Sequence, residues 1–491
     1  MASPHAFAKN QKSSNTVIAT LQYSPMMDMI NGEFLIGPDG ITYMNGGICR
    51  NNAVTGGNNT QKTGQCVLMM ARTLVRYHTS LVVFFDIEAT FNVGRLADEV
   101  DREIGIPGYF FAEIMDVRFF YFSRNDIENP CDGNFVHQWF KDRHAEIKEA
   151  IKAKHDIYIA TPYAGNDGVQ MKIISPILTI TDSISEMHFA KTSAKFQEDN
   201  VDEGGAGKTR DLVIGNQRRI VYEDCDVLGG EFGAYQVTTA QVTDIVNMTG
   251  QPLEKETVFI GQGKKLKGPK SLLRIPQIGY RIIKGSALKS GQEWLYPNPF
   301  GSDVTIGKDA KENPDLLFYT TSVFRNKSGS SGASLFFIGS QSLGIQEGLS
   351  MYHAMKTSNM FGLDGSAISH ACTLYPECKL GRTTIWKKSI EDKKLFRALG
   401  ICYQMWFMQT FWLKLEHKYR ITPQELYTKI KEQGIDWNDI LENTVDYWFT
   451  NPDIKKHTVS TMELLKIALG ERKPYWIKET KEVKAVESKA A

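Results

Sequence analysis

The chain has 491 residues, of which 42% are apolar, 23% charged and 11% aromatic, and its net charge is +1. This composition is that of an ordinary globular protein and excludes a disordered or fibrous chain, while the length suffices for two or three domains. The balanced charge predicts no global attraction to nucleic acid, so any such binding requires a local basic patch.

The seven cysteines include no Cys-x-x-Cys pair, which predicts reduced thiols and a cytoplasmic location. The N-terminal residues lack the pattern of a signal peptide, and no uncharged apolar run reaches the roughly 20 residues that a membrane helix needs. The nearest such run, from Ala398 to Leu413, is predicted to form a buried helix or a helix that docks a partner.

Residues 41 to 90 show the pattern of a strand, a glycine loop, a helix and a second strand. Apolar positions alternate in "GITYMNGGICRNNAV", recur at helical spacing in "GQCVLMMARTLVRYH" and run continuously in "SLVVFFDIEA". A further helix is predicted from Val136 to Lys154 and a further strand from Ile177 to Ser183. Strands that alternate with helices predict an α/β domain with a mainly parallel sheet.

The second half of the chain is predicted to contain loops, a hairpin and then helices. Residues 285–316 are rich in Gly, Pro, Asp and Asn and are typical of a loop, and "LLFYTTSVFRNKSGSSGASLFFIGSQ" predicts a β-hairpin. The chain becomes helical from about residue 390. Two capping boxes are predicted there, at Thr422 with Glu425 and at Ser460 with Glu463.

Two segments resemble a phosphate-binding loop. "GGAGKT" (204–209) has Asp202 where the motif requires glycine, whereas "TGGNNTQKTGQ" (55–65) keeps Gly56 six residues before Lys62 but has Gln61 as its last loop residue. A phosphate loop needs a buried strand before it and a helix after it, and only the second segment has both. Nucleotide contacts are therefore predicted at Gly56, Gly57, Asn58, Asn59, Thr60, Gln61, Lys62, Thr63 and Gly64. The alternative is a surface turn with an incidental lysine.

In this interpretation Lys62 reaches the β- and γ-phosphates and the Thr63 hydroxyl binds Mg²⁺. Two acids are predicted at the ends of buried strands. Glu88 is placed to activate an attacking water, and Asp182 is placed to hold Mg²⁺ through a water. Taken singly, each acid is more typical of a helix cap.

The order of these parts resembles the RecA family of recombinase ATPases, especially its phage members, over roughly residues 24 to 400. The resemblance rests on "SPMMDMINGEF", "TGGNNTQKT", "VVFFDIEATF", "ILTITDS", "AYQVTTAQV", "SVFRNKSGSSGASLFFIG", "LGIQEGLSMYHAMKTSNMFGL" and "CKLGRTTIWKKS". It implies a RecA-like P-loop ATPase core, with a mainly parallel twisted sheet flanked by helices, followed by a C-terminal helical region.

The resemblance also implies roles for individual residues. Glu88 takes the catalytic role, Gln241 senses the γ-phosphate, and Arg325 and Lys327 enter the ATP site of a neighbouring subunit. Arg95 stands where the family usually has a tyrosine that stacks on adenine, and its guanidinium plane is able to stack as well. The departures at Gln61 and Arg95 concern ATP affinity and turnover more than the fold.

By the same resemblance, two DNA-facing loops are expected near residues 186–210 and 243–270, and "GGAGKT" falls within the first. A flexible solvated connector is the alternative for the first loop and a solvated charged face for the second. The candidate DNA contacts are Lys208, Arg210, Lys264, Lys265, Lys267, Lys270 and Arg274.

These patterns predict an N-terminal arm (1–24) for subunit contact, a core (25–385), a helical region (386–475) and a charged tail (476–491). The expected function is an ATP- and Mg²⁺-dependent recombinase that forms a helical filament on single-stranded DNA. Such a DNA-dependent ATPase pairs that strand with homologous duplex DNA in recombination, repair or replication. Its expected partners are single-strand binding and mediator proteins in the cytoplasm of a phage-infected bacterium. The alternatives are a RecA-like scaffold with weak or no ATPase activity and a hexameric replicative helicase.

Overall fold

The structure, a computed structural model, describes residues 18–190, 192, 206–245, 260, 263–289, 312–329, 332–366, 369–381 and 384–477. Its strands are β1 (Glu33–Ile36), β2 (Thr42–Asn45), β3 (Asn51–Gly56), β4 (Leu81–Asp86), β5 (Phe119–Ser123), β6 (Tyr158–Ala164), β7 (Gln170–Ile174), β8 (Ile177–Asp182), β9 (Tyr235–Asp244), β10 (Lys264–Lys267), β11 (Ile278–Lys289), β12 (Glu312–Asn326), β13 (Ser334–Ser340), β14 (Gly344–Ile345), β15 (Leu363–Ser366), β16 (Ser369–Cys372), β17 (Tyr375–Gly381), β18 (Thr444–Val445) and β19 (His457–Thr458).

The described α-helices alternate with these strands in the first half of the chain and dominate its last part. They are α1 (Lys62–Arg76), α2 (Val93–Ile104), α3 (Gly133–Lys152), α4 (Ala206–Phe232), α5 (Glu347–Thr357), α6 (Ile385–Glu391), α7 (Lys393–Phe411), α8 (Pro423–Glu432), α9 (Trp437–Asn443) and α10 (Thr461–Ala468).

The central sheet has the strand order β14-β13-β12-β11-β3-β9-β8-β4-β5, with β10 paired to β9. The six strands from β11 to β5 in this order run parallel, whereas β10, β12, β13 and β14 each pair antiparallel with a neighbouring strand. The predicted α/β fold with a mainly parallel sheet is therefore confirmed. Parallel strands that share a register bring their carboxyl ends to one edge of the sheet, where functional side chains concentrate in such folds.

Two hydrophobic clusters pack around the central sheet. One contains α1, α2 and the C-terminal helices, with the largely buried helix α7 among them. The other contains residues of α3 and α4, such as Phe140 and Val221. The buried helix predicted for Ala398 to Leu413 is confirmed, as is the hairpin of β12 and β13.

The C-terminal helices share the core of the sheet domain. The Trp448 ring lies 4.6 Å from the Tyr77 ring, measured between centroids, and the Trp448 indole N–H donates to the Thr20 carbonyl at 3.0 Å. Residues 386–475 are thus not a detached domain. Of the predicted arm (1–24), the structure describes residues 18–24, and residues 19–24 are buried inside this chain.

Several predicted local features differ in the structure. The helix predicted at 136–154 is Gly133–Lys152, and the loop predicted at 285–316 is shorter, because β11 extends to Lys289 and β12 begins at Glu312. The capping box at Thr422 with Glu425 is complete. At the second site Ser460 accepts from the Glu463 N–H, but the Glu463 carboxylate accepts from the Thr42 N–H at 2.9 Å instead of closing the box.

The seven cysteines are all buried and free, in agreement with the reduced thiols expected from their spacing. Within the described part of the chain, no helix is both long and apolar enough to cross a membrane.

Candidate functional site

The segment at residues 56–63 has the strand, loop and helix that a phosphate-binding loop requires. β3 is buried along its whole length and ends at Gly56, and α1 begins at Lys62. A Cβ atom on Gly56 would lie 2.4 Å from the Thr60 hydroxyl and 2.7 Å from the Ile282 carbonyl oxygen. Only glycine fits there, because the loop folds back closely onto the end of its own strand.

Gln61 shows how this loop accommodates a bulky residue before the lysine. Its backbone is left-handed, at φ 61° and ψ 24°, which is the conformation that glycine adopts at least cost. Its side chain is buried and donates from Nε2 to the Ser340 carbonyl at 3.0 Å, so it is directed toward the end of β13. The Gln61 side chain passes close to Gly64 and Gly339, which have no side chain to obstruct it. A Cβ atom on Gly64 would lie 2.2 Å from Gln61 Oε1, and one on Gly339 would lie 3.2 Å from Gln61 Cγ.

The register of the sheet aligns the ends of the strands that carry the predicted catalytic and metal residues. Gly56 of β3 pairs with Gln241 of β9, and Asp86 of β4 pairs with Asp182 of β8. Glu88 follows β4 by two residues, and its N–H contacts the Asp182 carbonyl at 3.2 Å. Gly56, Gln241, Asp182 and Glu88 therefore meet at the carboxyl edge of the sheet.

Thr63 and Asp182 are in direct contact at this edge. The Thr63 hydroxyl donates to Asp182 Oδ2 at 2.6 Å, and the Thr239 hydroxyl donates to Oδ1. Burial raises the pKa of Asp182, while these two hydroxyl donors oppose the rise. Mg²⁺ binds few protein oxygens and otherwise keeps water and phosphate ligands, so this hydroxyl and carboxylate fit a Mg²⁺-nucleotide site.

A second network holds Glu88. Its Oε1 accepts from the Ser183 hydroxyl at 2.6 Å and from Gln241 Nε2 at 3.1 Å. The Gln241 backbone N–H contacts the Ser185 hydroxyl at 2.7 Å, which ties β9 to the turn after β8. A partly exposed carboxylate held by two donors is oriented for action as a general base.

Lys62 is 8% exposed and curls over the loop, where its Nζ donates to the Gly57 carbonyl at 2.7 Å. Burial lowers the pKa of Lys62, while the charges of Asp182 and Glu88 oppose this effect. A buried cation with a single carbonyl contact is well suited to accept the charge of a bound phosphate.

Arg95 lies close to the phosphate loop, as its predicted role requires. It is half-buried on α2 and lines a small cavity of about 70 Å³ together with Gly64 and Leu68 of α1 and Leu343 near β14. The cavity adjoins the first turn of α1.

The structure does not bring Arg325 and Lys327 to the site of their own chain. Arg325 pairs with Gly279, which is aligned with Ala53 near the start of β3. It therefore lies roughly 14 Å from Gly56 in the sheet, by strand spacing and rise per residue, and toward the opposite edge. Arg325 Nε donates to the Pro276 carbonyl at 3.0 Å, and Lys327 is exposed.

The predicted DNA contacts fall into two groups, and the segments between them lie largely outside the described residues. Lys208 and Arg210 are in the first turns of α4, which corrects the prediction of a loop through residue 210. Lys264 to Lys267 form β10, which extends the sheet alongside Gln241 to Asp244. This strand corrects the prediction of a loop over 243–270.

Only some of the cations in the second group are available to contact DNA. Lys264 forms an ion pair with Asp244, and Lys267 forms one with Glu186. Lys265, Lys270 and Arg274 are exposed and have no ion-pair partner among the residues that the structure describes. The acids come from other segments, which inspection of the basic run alone does not reveal.

Sequence reasoning missed two residues of the site, Thr239 and Ser185. The sequence does indicate Thr239, because it precedes Gln241 by two residues on β9 and so faces the same side of the sheet. Ser185 contacts β9 only through the turn after β8, and no sequence pattern predicts that contact. Among the described residues no cluster of three or more His, Cys, Asp or Glu side chains is arranged to hold a metal ion.

Comparison with known proteins adds no family. A scan against protein-family models finds no match, and a search among curated proteins finds no significant match. The class of protein therefore rests on the site itself.

Proposed function

We propose that the chain is an ATP-dependent DNA recombinase of the RecA family, similar to the phage recombinase UvsX, that acts in the cytoplasm. The observation that carries the proposal is the shared edge where Lys62 and Thr63 meet Asp182, and where Glu88 meets Gln241. The chain supplies a cation for phosphate, oxygen donors for Mg²⁺ and an oriented carboxylate for water, which are the parts that phosphoryl transfer requires.

The order of strands supports this class. The strand before the phosphate loop, β3, is separated from the Asp182 strand, β8, by the Gln241 strand, β9. Gln241 is thereby placed between the two halves of the nucleotide site. Gln241 bonds Glu88, and β9 continues past Gln241 to pair with the basic strand β10. A conformational change at Glu88 is therefore able to reach the basic segment along β9.

The placement of Arg325 and Lys327 supports assembly. Both lie toward the sheet edge opposite Glu88, so they have no role in the ATP site of their own chain. Cations supplied by a neighbouring subunit accelerate phosphoryl transfer by about 10³ to 10⁵. ATP hydrolysis would then require a filament in which subunits contact one another head to tail.

The test is ATP hydrolysis with and without single-stranded DNA. The wild type should hydrolyse ATP faster with DNA, Glu88→Gln should bind ATP without turnover, and Lys62→Ala should lose ATP binding. Stimulated hydrolysis that survives Lys62→Ala would contradict the proposal. ATP binding without hydrolysis in the wild type would favour the scaffold, and closed rings in electron micrographs would favour the helicase.

A further inference from the structure

One cavity in the described part of the chain lies away from the nucleotide site. It has a volume of about 540 Å³ and is enclosed by the last turns of α1, the helix α2, the start of α7 and the segment around residues 444–456. Arg72 and Arg76 of α1 line it, and they follow Lys62 by 10 and 14 residues. At the helical rise this distance is about 15 to 21 Å, so the cavity is separate from the phosphate loop.

Most of the charged residues in its wall on the α1 and α2 side are already paired. Arg72 bonds Glu103 at 2.8 Å and Glu347 at 3.1 Å, and Arg102 bonds Glu99. Arg76 donates to the Gln22 carbonyl at 2.9 Å. This side of the cavity is therefore close to neutral.

The α7 side carries an excess of positive charge. Lys393, Arg397 and Lys456 line it together. The nearest acid is Asp446, whose Oδ2 is 3.9 Å from Arg397 Nη1 and accepts from Gln404 Nε2 at 2.6 Å. Lys455 and Asp453 also line this side, so four cations face two carboxylates and a formal excess of two positive charges remains.

Arg397 is the strongest indication of a ligand. It is only 7% exposed, and its Nη2 donates to the Val459 carbonyl at 2.6 Å. Its Nε and Nη1 have no hydrogen-bond partner within the described part of the chain. Buried guanidinium donors without acceptors are costly, and a bound anion that accepts from both would remove that cost.

The charged form of Lys456, which lines the same cavity, is also destabilised. The pKa of Lys456 is lowered, first by burial and then by the charges of Lys393 and Arg397. Tyr109 and Phe396 line the same cavity and provide apolar surface for the organic part of a ligand. The volume lies within the range of about 300 to 1,000 Å³ that is typical of small-molecule sites.

We propose that this cavity binds a phosphorylated small molecule of about mononucleotide size, with its phosphate held by Lys393, Arg397 and Lys456. The proposal does not depend on ATP hydrolysis at the phosphate loop. It concerns a second anion site, formed between the sheet domain and the C-terminal helices.

The location of the site is tested by soaking crystals of the full chain in tungstate, a tetrahedral dianion that imitates phosphate. We expect anomalous density in contact with Arg397, whether or not the phosphate loop is also labelled. Density at the phosphate loop with an empty cavity would overturn the proposal.

Binding is tested by equilibrium dialysis with labelled pyrophosphate, in the Lys62→Ala background so that the phosphate loop does not contribute. Adding Lys393→Ala and Lys456→Ala should weaken binding by about tenfold or more, because two charge-assisted contacts are lost. The matched control is Lys387→Ala combined with Lys414→Ala, which removes the same two charges from exposed residues that do not line the cavity. The control should bind as the background does.

Two outcomes of the dialysis would reject the site. One is pyrophosphate binding that the lysine pair does not change, and the other is no binding to the Lys62→Ala chain at all. Circular dichroism of each variant shows whether the fold is kept. Lys393 is exposed and Lys456 is half-buried, and neither takes part in the bond from Arg397 to the Val459 carbonyl, so their removal leaves that bond in place.

Discussion

At the scale of single residues, Gln61 combines a backbone cost with a side-chain gain. A left-handed residue with a Cβ atom costs about 1 to 2 kcal/mol, and the buried bond to the Ser340 carbonyl returns about 1 kcal/mol. The two effects are nearly equal, which explains why glutamine is tolerated where the motif usually has glycine.

This balance predicts different effects on the free energy of unfolding for two substitutions at Gln61. Gln61→Ala keeps the backbone cost and loses the bond, so it should lower the free energy of unfolding by about 1 to 3 kcal/mol. Gln61→Gly loses the bond but also the backbone cost, and should stay within about 1 kcal/mol of the wild type. Urea unfolding of both variants measures the difference. Equal stability of the two would show that the backbone at residue 61 relaxes.

His353 makes stability depend on pH. Its ring packs against Phe318, with 4.8 Å between ring centroids, and burial followed by the charge of Lys356 lowers the pKa of His353 to about 4. The unfolded chain, with a histidine pKa of about 6.5, binds more protons between these two values. The contribution is therefore complete above about pH 6.5 and is lost as the pH falls toward about 4.

We expect the wild type to lose about 1 to 2 kcal/mol of unfolding free energy at pH 5 through this residue. His353→Phe keeps the aromatic packing and removes the titration, so its stability should fall less between pH 7 and pH 5. Denaturant unfolding at both pH values provides the comparison. The same loss in both proteins would show that His353 does not titrate as its burial indicates.

At the scale of elements, the strength of the local pattern determines what the sequence predicts. β4 is an apolar run that ends in Asp86, β8 is an Ile- and Leu-containing strand that ends in Asp182, and α1 has clear helical spacing, so all three were found from local patterns. β10 has the sequence Lys-Lys-Leu-Lys, which favours no strand by itself and is paired only because β9 offers an edge.

The residues of the site also divide into those that a local sequence pattern reveals and those that it does not. Glu88 and Asp182 follow buried strands and are visible in the sequence. The partners of the basic run are not visible, because Asp244 and Glu186 precede Lys264 and Lys267 by 20 and 81 residues. Glu463 is similar, since its carboxylate accepts from the N–H of Thr42, 421 residues away.

The cations of the basic run that have no ion-pair partner among the described residues give a prediction for DNA binding. If Lys265, Lys270 and Arg274 contact phosphates, log affinity for single-stranded DNA should fall against log salt with a slope of about −2. Lys265→Ala should make the slope shallower by about 0.7. Lys264→Ala is the matched control on the same strand, and its slope should stay unchanged because Asp244 already pairs with this lysine. Fluorescence anisotropy over a salt series measures both, and equal effects would refute the distinction.

At the scale of the whole molecule, the distance of Lys327 from Glu88 of the same chain predicts complementation between inactive variants. Under the proposed function, Lys327→Ala lacks the cation given to a neighbour and Glu88→Gln lacks the base, so each alone should hydrolyse ATP poorly. In a random mixture, an intact pair occurs at about one interface in four, which should restore about a quarter of wild-type turnover.

The control for this mixture is a chain with both substitutions, mixed with the wild type, which forms the same number of interfaces. Turnover of the two single variants that remains at the sum of their separate activities would place Lys327 within the site of its own chain. It would not bear on the proposed role of Glu88 in ATP hydrolysis.

The shared core joins the first and last parts of the chain. Trp448 bonds Thr20 and Gln22, while Ser460 and Glu463 bond Thr42. On the ribosome, the sheet is therefore complete before the helices that cover its α1 face have been synthesised. At translation rates of about 5 to 20 residues per second, the 99 residues from Lys393 to Ala491 take roughly 5 to 20 s, during which an apolar surface is uncovered. Nascent chains of this protein are therefore expected to engage ribosome-associated chaperones, and release before residue 393 should yield aggregates rather than an active fragment.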